Sequence, residues 1–303
     1  MESSANGASG PDGSLRERIA ARIGGMSRAE RRVAEYLRDN AEEVIFATAE
    51  QIGIASRTSD ATVVRTAKTL GYSGLLELKY SLGRQVISAT KPSVRLRTRI
   101  TSAGTQTDSI LSHVFGEAAE RLAETQRLLD GADFVRAVGA FAEAREVLAI
   151  GFGPSEMVAR YLALRLGRLG RRARFTGSSG FRLADDLIAL TSEDLVALYV
   201  PGRYLNEIDV VLDHTASLGA RTVLFSDLLG QKLGGRVDVV LPAVHSPSGY
   251  SGETLSSQVL TDALLLGLAA GERDRATTTS ELLTALRRPL IDPDGPGRGR
   301  ALT

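Results

Sequence analysis

The sequence predicts an α/β protein with two domains, an N-terminal all-α domain followed by a doubly wound parallel-sheet αβα sandwich. Three observations carry this prediction. The chain has 303 residues, enough for about two ordinary domains. Its first third has helical periodicity and no strand-like run. The remainder alternates short apolar runs with amphipathic helices, which is the pattern of parallel strands buried on both faces.

Changes in composition predict the domain boundaries. Residues 1–14 and 291–303 are rich in Gly, Ser and Pro, and we expect them to be disordered tails. The all-α domain is predicted over 15–83 and the sandwich over 108–290. A basic connector with a Lys-Pro step is predicted over 84–107.

Each element of the sandwich is predicted from its own pattern. Helix patterns at 108–130 and 132–143 precede the first strand. The five predicted strands are 147–151, 173–177, 195–200, 222–226 and 237–242. The helices predicted between and after them cover 155–168, 181–190, 205–218 and 253–270. Ligands bind at the carboxyl ends of parallel strands in such domains, so the loops after the strands are the candidate site.

The composition argues against several classes of protein. The chain contains no cysteine, which excludes disulfides and thiolate metal sites, and its three histidines lie far apart in sequence. We therefore predict no metal centre and no cofactor. No run of about 18 apolar residues occurs, and the N-terminus lacks a signal-peptide pattern. These features predict a cytoplasmic protein that does not contact membranes.

The net charge of +1 conceals an asymmetry along the chain. Residues 1–107 carry 16 Lys and Arg against 11 Asp and Glu, a net charge of +5, and the remainder carries −4. Within 57–99, nine basic residues stand against two acidic ones. A basic domain on a mildly acidic body indicates a module that binds a polyanion. A merely solvated basic surface is the alternative.

Residues 48–79 contain two short helix patterns joined by the tight turn RTS. The first pattern covers 49–56. Ser59 can cap the second helix, predicted over 60–70, because its hydroxyl can accept a hydrogen bond from the first helical turn. Gly71 lies where a left-handed residue ends such a helix. This arrangement predicts a helix-turn-helix unit.

The second of these helices has two faces. Val63, Ala67 and Leu70 recur at helical spacing and should pack inward. On the opposite stripe, arginine can donate two hydrogen bonds to a guanine edge, threonines can contact bases in the major groove, and neighbouring cations suit phosphates. The predicted DNA contacts are Arg57, Thr58, Ser59, Thr62, Arg65, Thr66, Lys68 and Thr69. An ordinary polar helix face is the alternative.

These motifs resemble those of RpiR-type bacterial transcription regulators. Residues 26–40 read MSRAERRVAEYLRDN, and residues 59–74 read SDATVVRTAKTLGYSG, which is similar to the recognition-helix signature of that family. Thr66 and Leu75 stand where the family usually has aromatic residues. The resemblance covers about residues 15–290. It implies a helix-turn-helix domain joined to a sugar-isomerase (SIS) domain, which agrees with the predicted sandwich.

Two loops of the sandwich are suited to an anion. The first strand ends in GFGPSE, where Gly151 and Gly153 allow a tight turn and Ser155 begins a helix whose N-terminus favours an anion. This stretch resembles the opening G-x-G-x-S loop of SIS domains. The second loop, TGSSG, offers Ser178 and Ser179. Either stretch is also consistent with an ordinary connecting loop.

The third strand leads into YVPGRYLNE, which departs from the family pattern. The resemblance implies S-x-S-G-x-T followed by Glu at this point, with hydroxyls that hold a sugar phosphate. Here Tyr199, Pro201 and Tyr204 replace the hydroxyls. The guanidinium group of an arginine could replace the missing hydroxyl donors with its own N–H donors, and a tyrosine could stack on a ring of the ligand. The predicted effector contacts of this loop are Gly202, Arg203 and Glu207; a closed pocket is the alternative.

The loop HSPSGYSGE, which follows the fifth strand, is rich in polar residues. His245, Ser246 and Glu253 are predicted to lie at the crevice. The resemblance implies that a His or Glu at such a position handles protons in SIS isomerases. A flexible loop before a helix is the alternative, and we predict no catalytic residue.

Together these patterns favour a regulator that binds a double-stranded DNA operator as a homodimer and whose SIS domain senses a carbohydrate derivative, with a sugar phosphate as the leading class. Two alternatives stay open. One is a sugar-phosphate isomerase of the SIS type, and the other is a DNA-binding regulator whose SIS domain only dimerises. The long helix predicted at 108–130 is the candidate for coupling the two domains.

Overall fold

The computed structural model describes most of the chain as two compact units. The described residues are 14–87, 96–97, 100–101, 103–104, 106–200, 204–227, 229–245 and 254–291. The division falls between Glu124 and Thr125. We call the described residues up to Glu124 the N-terminal unit and those from Thr125 the C-terminal unit. Both predicted tails, except residues 14 and 291, and much of the predicted connector lie outside the described residues.

The N-terminal unit is all helical within its described residues. Its helices are α1 Leu15–Arg22, α2 Arg28–Asp39, α3 Ala41–Val44, α4 Ala49–Ser56, α5 Asp60–Thr69, α6 Leu75–Ile87 and α7 Thr107–Leu128, whose last four residues belong to the C-terminal unit. Capping boxes begin α1, α2 and α4, because a Ser or Thr and a Glu or Gln three residues later satisfy each other's backbone N–H groups.

Apolar residues from the first six helices form the core of this unit. Val33 and Leu37 of α2, Ile52 of α4, Val63 of α5 and Leu78 of α6 are fully buried in it. These side chains recur at helical spacing, which is why the sequence pattern predicted an all-α domain here.

Helix α7 packs with the N-terminal unit over most of its length. The predicted boundary assigned residues 108–124 to the sandwich, whereas contacts of α7 with α4 and α6 place them in the N-terminal unit. The helix itself was predicted, at 108–130. Periodicity shows that one face of a helix is buried, but it does not identify the element that covers this face.

The C-terminal unit contains a five-stranded parallel sheet. Its strands are β1 Val147–Gly151, β2 Ala173–Thr176, β3 Leu195–Tyr199, β4 Arg221–Ser226 and β5 Val239–Pro242, in the order β2-β1-β3-β4-β5. All four pairings are parallel, and β1 pairs with β3 from Val147↔Leu195 to Gly151↔Tyr199. The strand order reverses between β1 and β3, which places the expected crevice outside their carboxyl ends.

Helices cover both faces of this sheet. They are α8 Gly131–Glu143, α9 Ser155–Arg168, α10 Phe181–Leu187, α11 Asn206–Leu218, α12 Gly230–Leu233, α13 Leu255–Gly271 and α14 Arg273–Ile291. One core contains side chains of α8, α9 and α13, and the other contains side chains of α10, α11 and α12. This αβα arrangement confirms the predicted fold class. Helix α14 was not predicted, because its polar sequence carries a weak apolar stripe.

Within the described part of the chain, no helix is long and apolar enough to cross a membrane. Among the same described residues, no group of three or more His, Cys, Asp or Glu side chains is arranged to hold a metal ion.

Candidate functional site

The turn between α4 and α5 has the close packing of a helix-turn-helix unit. A β-carbon added at Gly53 would lie 3.1 Å from backbone atoms of Thr58, Ser59 and Asp60, so a side chain here would force the backbone of the turn to shift. Arg57 ends α4 in the left-handed conformation, with φ of 54°. The Ser59 hydroxyl then accepts a hydrogen bond from the Thr62 N–H and begins α5 as predicted. The sequence analysis missed the role of Gly53.

The exposed face of α5 differs from the predicted stripe. Thr62 and Thr66 are buried, so their prediction as DNA contacts is wrong for this conformation. The Thr66 hydroxyl donates to the Thr62 carbonyl, and the Thr62 hydroxyl bonds to that of Ser59. Threonine can be buried without penalty in this way, because its hydroxyl is satisfied within the helix. The exposed sector of α5, as we call it, consists of the exposed Asp60, Ala61, Arg65 and Lys68 together with the half-buried Val64.

One predicted DNA contact lies next to this sector and is already engaged. Thr69 is exposed, and its hydroxyl donates to the Glu30 carboxylate over 2.9 Å. Hydrogen bonds from Ser27 and Thr69, with a smaller effect from the charge of Arg65, lower the pKa of Glu30. This carboxylate therefore holds Thr69 and attracts Arg65 at the edge of the exposed sector.

The remaining predicted DNA contacts lie at the turn that precedes α5. Arg57 and Ser59 are exposed, and Thr58 is half-buried with its hydroxyl bonded to that of Ser56. Arg57, Arg65 and Lys68 are thus the cations that this region exposes among the predicted contacts. Such an arrangement is suited to phosphates and base edges of a nucleic acid.

In the C-terminal unit, the loop after β1 turns sharply into α9. A β-carbon at Gly151 would collide with the backbone of Ser155, and Gly153 is left-handed with φ of 57°. Both glycines are therefore required by the turn, as predicted. The amides of Ser155, Glu156 and Met157 donate to carbonyls three residues earlier. The N–H groups that were predicted to bind an anion are therefore already hydrogen-bonded to carbonyl groups of their own loop.

Glu156 joins the β1 loop to the β2 loop, a contact that the sequence analysis did not anticipate. A β-carbon added at Gly177 would collide with the Glu156 carboxyl group, so this carboxylate lies directly against the backbone of the TGSSG loop. The two predicted loops are therefore neighbours at the carboxyl edge of the sheet. A negative charge lies between them, where a phosphate group would meet electrostatic repulsion.

Asp186 holds the β2 loop in place through hydrogen bonds. The Thr176 hydroxyl donates to its carboxylate over 2.6 Å and accepts from the Ser178 N–H. Burial alone would raise the pKa of Asp186, but hydrogen bonds from Thr176 and Ser178 and the charges of nearby arginines outweigh it and lower the pKa. Ser178 is thus engaged with Asp186, whereas Ser179 is exposed.

The β3 loop can be described only at its two ends, because residues 201–203, including Gly202 and Arg203, lie outside the described residues. Tyr199 is buried, stacks on Phe225 at 4.3 Å and shares a hydrogen bond of 2.8 Å with Thr261. It cannot stack on a ligand as the sequence suggested, because its ring belongs to the core.

At the far end of this loop the side chains make contacts with one another. The Tyr204 hydroxyl donates to Asp209, and Lys232 lies over its ring at 3.8 Å. Glu207 lies half-buried in the first turn of α11. Tyr204 is therefore held by an acid and a cation rather than presented freely to a ligand.

At the ends of β4 and β5, His245 is paired with Asp227. The Nδ1 atom of His245 lies 2.5 Å from the Asp227 carboxylate, which also accepts the His245 N–H over 3.2 Å. Both side chains are largely buried. The imidazole is thus oriented at the carboxyl edge of the sheet, as predicted for a site residue. Ser246 and Glu253 lie outside the described residues.

Residues 13–89 match the family model of the rpiR-family helix-turn-helix domain. The N-terminal domain is an RpiR-type helix-turn-helix. Over 256 residues, 82% of this chain and 88% of the relative, the sequence is 26% identical to the HTH-type transcriptional regulator YbbH of Bacillus subtilis. It is 22% identical to an HTH-type transcriptional regulator of Haemophilus influenzae over 89% of this chain and 94% of that protein.

Two solved structures resemble this chain in fold. The sugar isomerase domain of an RpiR transcription factor from Sphaerobacter thermophilus is 26% identical, with a TM-score of 0.55 over 58% of this chain and 98% of that one. The Vibrio vulnificus NanR protein complexed with ManNAc-6P shares the fold, with a TM-score of 0.53 and 22% identity over 92% of this chain and 100% of that one. The chain is therefore a transcription regulator with a helix-turn-helix domain and a SIS-like domain.

Proposed function

We propose that this RpiR-type regulator binds operator DNA through the exposed sector of α5 and that its SIS-like unit senses a carbohydrate derivative. The observation that carries the first half is the pair of exposed cations, Arg65 and Lys68, on the second helix of a capped helix-turn-helix unit. The observation that supports the second half is the convergence of the β1 and β2 loops at the carboxyl edge of the sheet, next to the switch point between β1 and β3.

The residues of the DNA face take different roles in this proposal. Arg65 can form a bidentate contact with guanine, and it is the base-reading residue. Lys68, Arg57 and Ser59 position the helix on phosphates, which adds affinity without reading sequence. Thr69, whose hydroxyl donates to the Glu30 carboxylate, contacts the duplex at the edge of the exposed sector. Thr62 and Thr66 support the helix from inside and take no part in reading.

Variants of α5 test the DNA-binding half. A duplex selected by the wild-type protein from a randomised pool serves as the probe. Arg65→Ala should cost roughly 1–3 kcal/mol and relax the sequence preference, whereas Lys68→Ala should weaken binding to all duplexes and reduce its salt dependence. Thr66→Val, the matched control inside the same helix, should leave affinity unchanged. Equal effects of all three variants would contradict the assignment.

For the effector we propose a small phosphorylated or carboxylated sugar derivative bound at the carboxyl edge of β1 and β3. Gly151, Gly153 and Ser179 shape the site, and His245 presents an oriented imidazole from the neighbouring strand end. Ser155 and Ser178 lie buried or engaged behind this surface, and Glu207 borders it. Gly202, Arg203, Ser246 and Glu253 belong to the proposed site on the basis of sequence alone.

A panel of sugar phosphates tests the sensor. Binding is measured as a shift in melting temperature, and its consequence as a change in affinity for the selected duplex. A ligand that shifts both supports the sensor. Turnover of a panel sugar phosphate to its ketose or aldose isomer would instead establish the isomerase. A panel that shifts neither quantity would favour a SIS-like unit that only dimerises.

We further propose that the regulator acts in the cytoplasm as a homodimer. Ile110, Leu111, Val114 and Phe115 are exposed on α7, and their spacing places them on one face of the helix. An apolar stripe of this kind on a surface helix is typical of a face that another protein covers. Two identical chains would also bring two recognition helices to one operator.

A further inference from the structure

The exposed sector of α5 forms one wall of a cavity within the N-terminal unit. The cavity has a volume of about 890 Å³. All five members of the exposed sector line it, together with residues of α4. The opposite wall is one face of α7, formed by Ser109, Ser112, His113, Gly116 and Glu120. A helix of the same unit therefore lies across from the side chains proposed to read DNA.

Helix α7 is fastened to the helix-turn-helix unit beside this cavity. The Glu120 carboxylate accepts the Ala49 N–H at the start of α4 over 2.8 Å and lies 3.2 Å from the Lys79 ammonium. Lys79 is only 2% exposed, so this ion pair is shielded from solvent on the lysine side. Breaking it leaves a buried charge without its partner. The pair is therefore a strong point of attachment.

Two further contacts extend the attachment along α7. A β-carbon added at Gly116 would lie 3.5 Å from Thr48 Cγ2, so this glycine is within van der Waals reach of the Thr48 side chain. One turn beyond Glu120, the Ser73 hydroxyl donates to Glu124 over 3.4 Å. The polar face of α7 thus follows the helix-turn-helix unit from Gly116 to Glu124, while its turns at 109–113 line the cavity.

The position of α7 bears on how α5 could enter DNA. The major groove is about 12 Å wide, and sugar-phosphate walls rise on both sides of an inserted helix. Those walls need free space on both flanks of α5. On one flank, the turns of α7 at Ser109 to Gly116 face α5 across the cavity. A sugar-phosphate wall on that flank would have to enter this cavity, between α5 and α7.

We propose that α7 is an autoinhibitory strap, in which residues 109–116 flank the exposed sector of α5 across the cavity and obstruct a wall of the major groove, while the Lys79–Glu120 ion pair holds the strap in place. This proposal rests on the proposed function, because it requires that α5 is the element that reads DNA. The covered and uncovered forms are two states of the regulator, and any ligand that favours one of them changes operator affinity.

The last turn of α7 connects the strap to the candidate effector crevice. Thr125 is the first residue of the C-terminal unit, and its hydroxyl accepts the Val244 N–H over 3.2 Å. Val244 directly precedes His245 at the carboxyl edge of the sheet. A ligand that displaces this edge therefore acts on the same helix that covers α5.

An engineered disulfide tests the strap directly, since the chain contains no cysteine. Thr48→Cys together with Gly116→Cys places two thiols across the α4–α7 contact, within the reach of a disulfide. The full-length double variant is compared in its oxidised and reduced forms on the selected duplex. The oxidised form should bind at least about tenfold more weakly than the reduced form, because α7 can no longer leave.

The outcomes separate the strap from the proposed function. Equal affinity of the oxidised and reduced forms overturns the strap while DNA binding stands. Failure of wild-type protein and both forms to bind any duplex overturns DNA binding itself, and the strap with it. Each single-cysteine variant, treated with the same oxidant, serves as the control for effects of the substitutions. The crosslink should form within one chain, and a disulfide between two chains contradicts an intramolecular strap.

Substitutions of Gly116 test the same proposal in the opposite direction. Gly116→Leu introduces side-chain carbons against Thr48 and should lift α7, which should raise affinity for the selected duplex by about tenfold. Gly116→Ala fits the 3.5 Å space and serves as the matched control, with affinity no higher than that of wild type. A tighter complex with the alanine variant than with the leucine variant would contradict the strap.

Discussion

The Glu156 carboxylate occupies the most informative position at the crevice. It lies against Gly177, between two loops whose glycines and serines otherwise suit an anion. A carboxylate at this point repels a phosphate but can accept hydrogen bonds from sugar hydroxyls. The Glu156 side chain therefore disfavours an effector whose phosphate lies at this point and favours one that places a sugar hydroxyl there.

Glu156→Gln should strengthen the binding of sugar phosphates. Removal of one negative charge near the phosphate should be worth about 1 kcal/mol, or about fivefold in affinity, since the site is partly open to water. Isothermal titration with the sugar-phosphate panel measures this change. Glu143→Gln, at the amino edge of the sheet, is the matched control. Weaker binding by Glu156→Gln would show that the carboxylate accepts a hydrogen bond from the ligand.

Arg57 combines a strained backbone with a cation suited to DNA. Its φ of 54° is unfavourable for a residue with a side chain by roughly 1 kcal/mol. Arg57→Gly and Arg57→Ala should weaken DNA binding equally, because both remove the cation. The glycine variant should be more stable than the alanine variant by about 1 kcal/mol in denaturant unfolding. Equal stability of the two variants would argue against strain at this turn.

For single residues, the sequence predicted side-chain chemistry better than side-chain exposure. The caps at Ser59 and Gly71 follow from residue type, and both are present. Thr62 and Thr66 were placed on the outer face because threonine is polar. Their hydroxyls bond within α5, and this local solution is invisible to a pattern of polar and apolar residues.

The packing of α4 on α5 depends on Gly53. Gly53→Val should destabilise the N-terminal unit by roughly 1–3 kcal/mol, because its side chain would meet the backbone of residues 58–60. Unfolding of the full chain, followed by circular dichroism, reports this loss as an earlier transition. Gly24→Val is the control, since nothing lies within 4 Å of a β-carbon at Gly24. Similar losses from both substitutions would contradict the close approach.

Asp194 stabilises the amino edge of the sheet, just before β3. Its carboxylate accepts hydrogen bonds from Arg145 over 2.7 Å and from the Thr191 N–H over 2.8 Å. Burial alone would raise the pKa of Asp194, but the hydrogen bonds from Arg145 and Thr191 outweigh this effect and lower the pKa. A carboxyl group whose pKa is lower in the folded than in the unfolded chain adds stability at high pH and loses it on acidification.

Asp194→Asn should therefore destabilise the C-terminal unit by roughly 1.5–3 kcal/mol at pH 7. The difference from wild type should shrink as the pH falls below the unfolded value of about 3.9 and through the lower folded value. Denaturant unfolding across this pH range measures it. Glu193→Gln is the control, because Glu193 lies 3.9 Å from Arg145 and is largely exposed. A difference that is independent of pH would exclude the ionised carboxylate as its source.

Among the elements, the strands were the most predictable. β1 and β3 are short apolar runs buried on both faces, and β1 occupies the predicted residues 147–151. Two helices show the limits of the pattern. Helix α14 is polar over most of its length and was missed, although it is continuous from Arg273 to Ile291. Helix α7 was predicted as a helix, but its packing on the N-terminal unit depends on tertiary contacts such as that between Lys79 and Glu120.

The apolar face of α7 yields a prediction for the whole assembly. Phe115 is 71% exposed, and Leu111 lies one turn before it on the same face. Leu111→Ser with Phe115→Ser should weaken the homodimer by at least about tenfold, because burial of two large apolar side chains contributes several kcal/mol. Sedimentation equilibrium measures the monomer–dimer constant. Val210→Ser, a single exposed apolar residue on α11, is the control, and an unchanged constant in the double variant would place the interface elsewhere.

The location of the candidate effector site, unlike its contents, could be predicted from sequence. Parallel strands place their following loops at one edge, which the sequence predicted. The choice of β1 and β3 depends on the strand order, which the sequence did not predict. The sequence could not show that Tyr199 is part of the core or that Glu156 reaches Gly177, because both contacts join residues that are distant in the chain. The pairing of His245 with Asp227 could not be predicted for the same reason.

The position of α7 in the chain also has a consequence for biosynthesis. Every described residue of the N-terminal unit precedes Thr125, so the proposed strap is translated after α5 and before any strand of the C-terminal unit. Domains tend to fold from the N-terminus as the chain leaves the ribosome. The reading helix and the proposed strap are then both complete before the first strand of the sensor exists. If the strap is correct, an unfinished or truncated chain that retains residues up to 124 would bind DNA weakly. Control by the effector begins only when the sheet is complete.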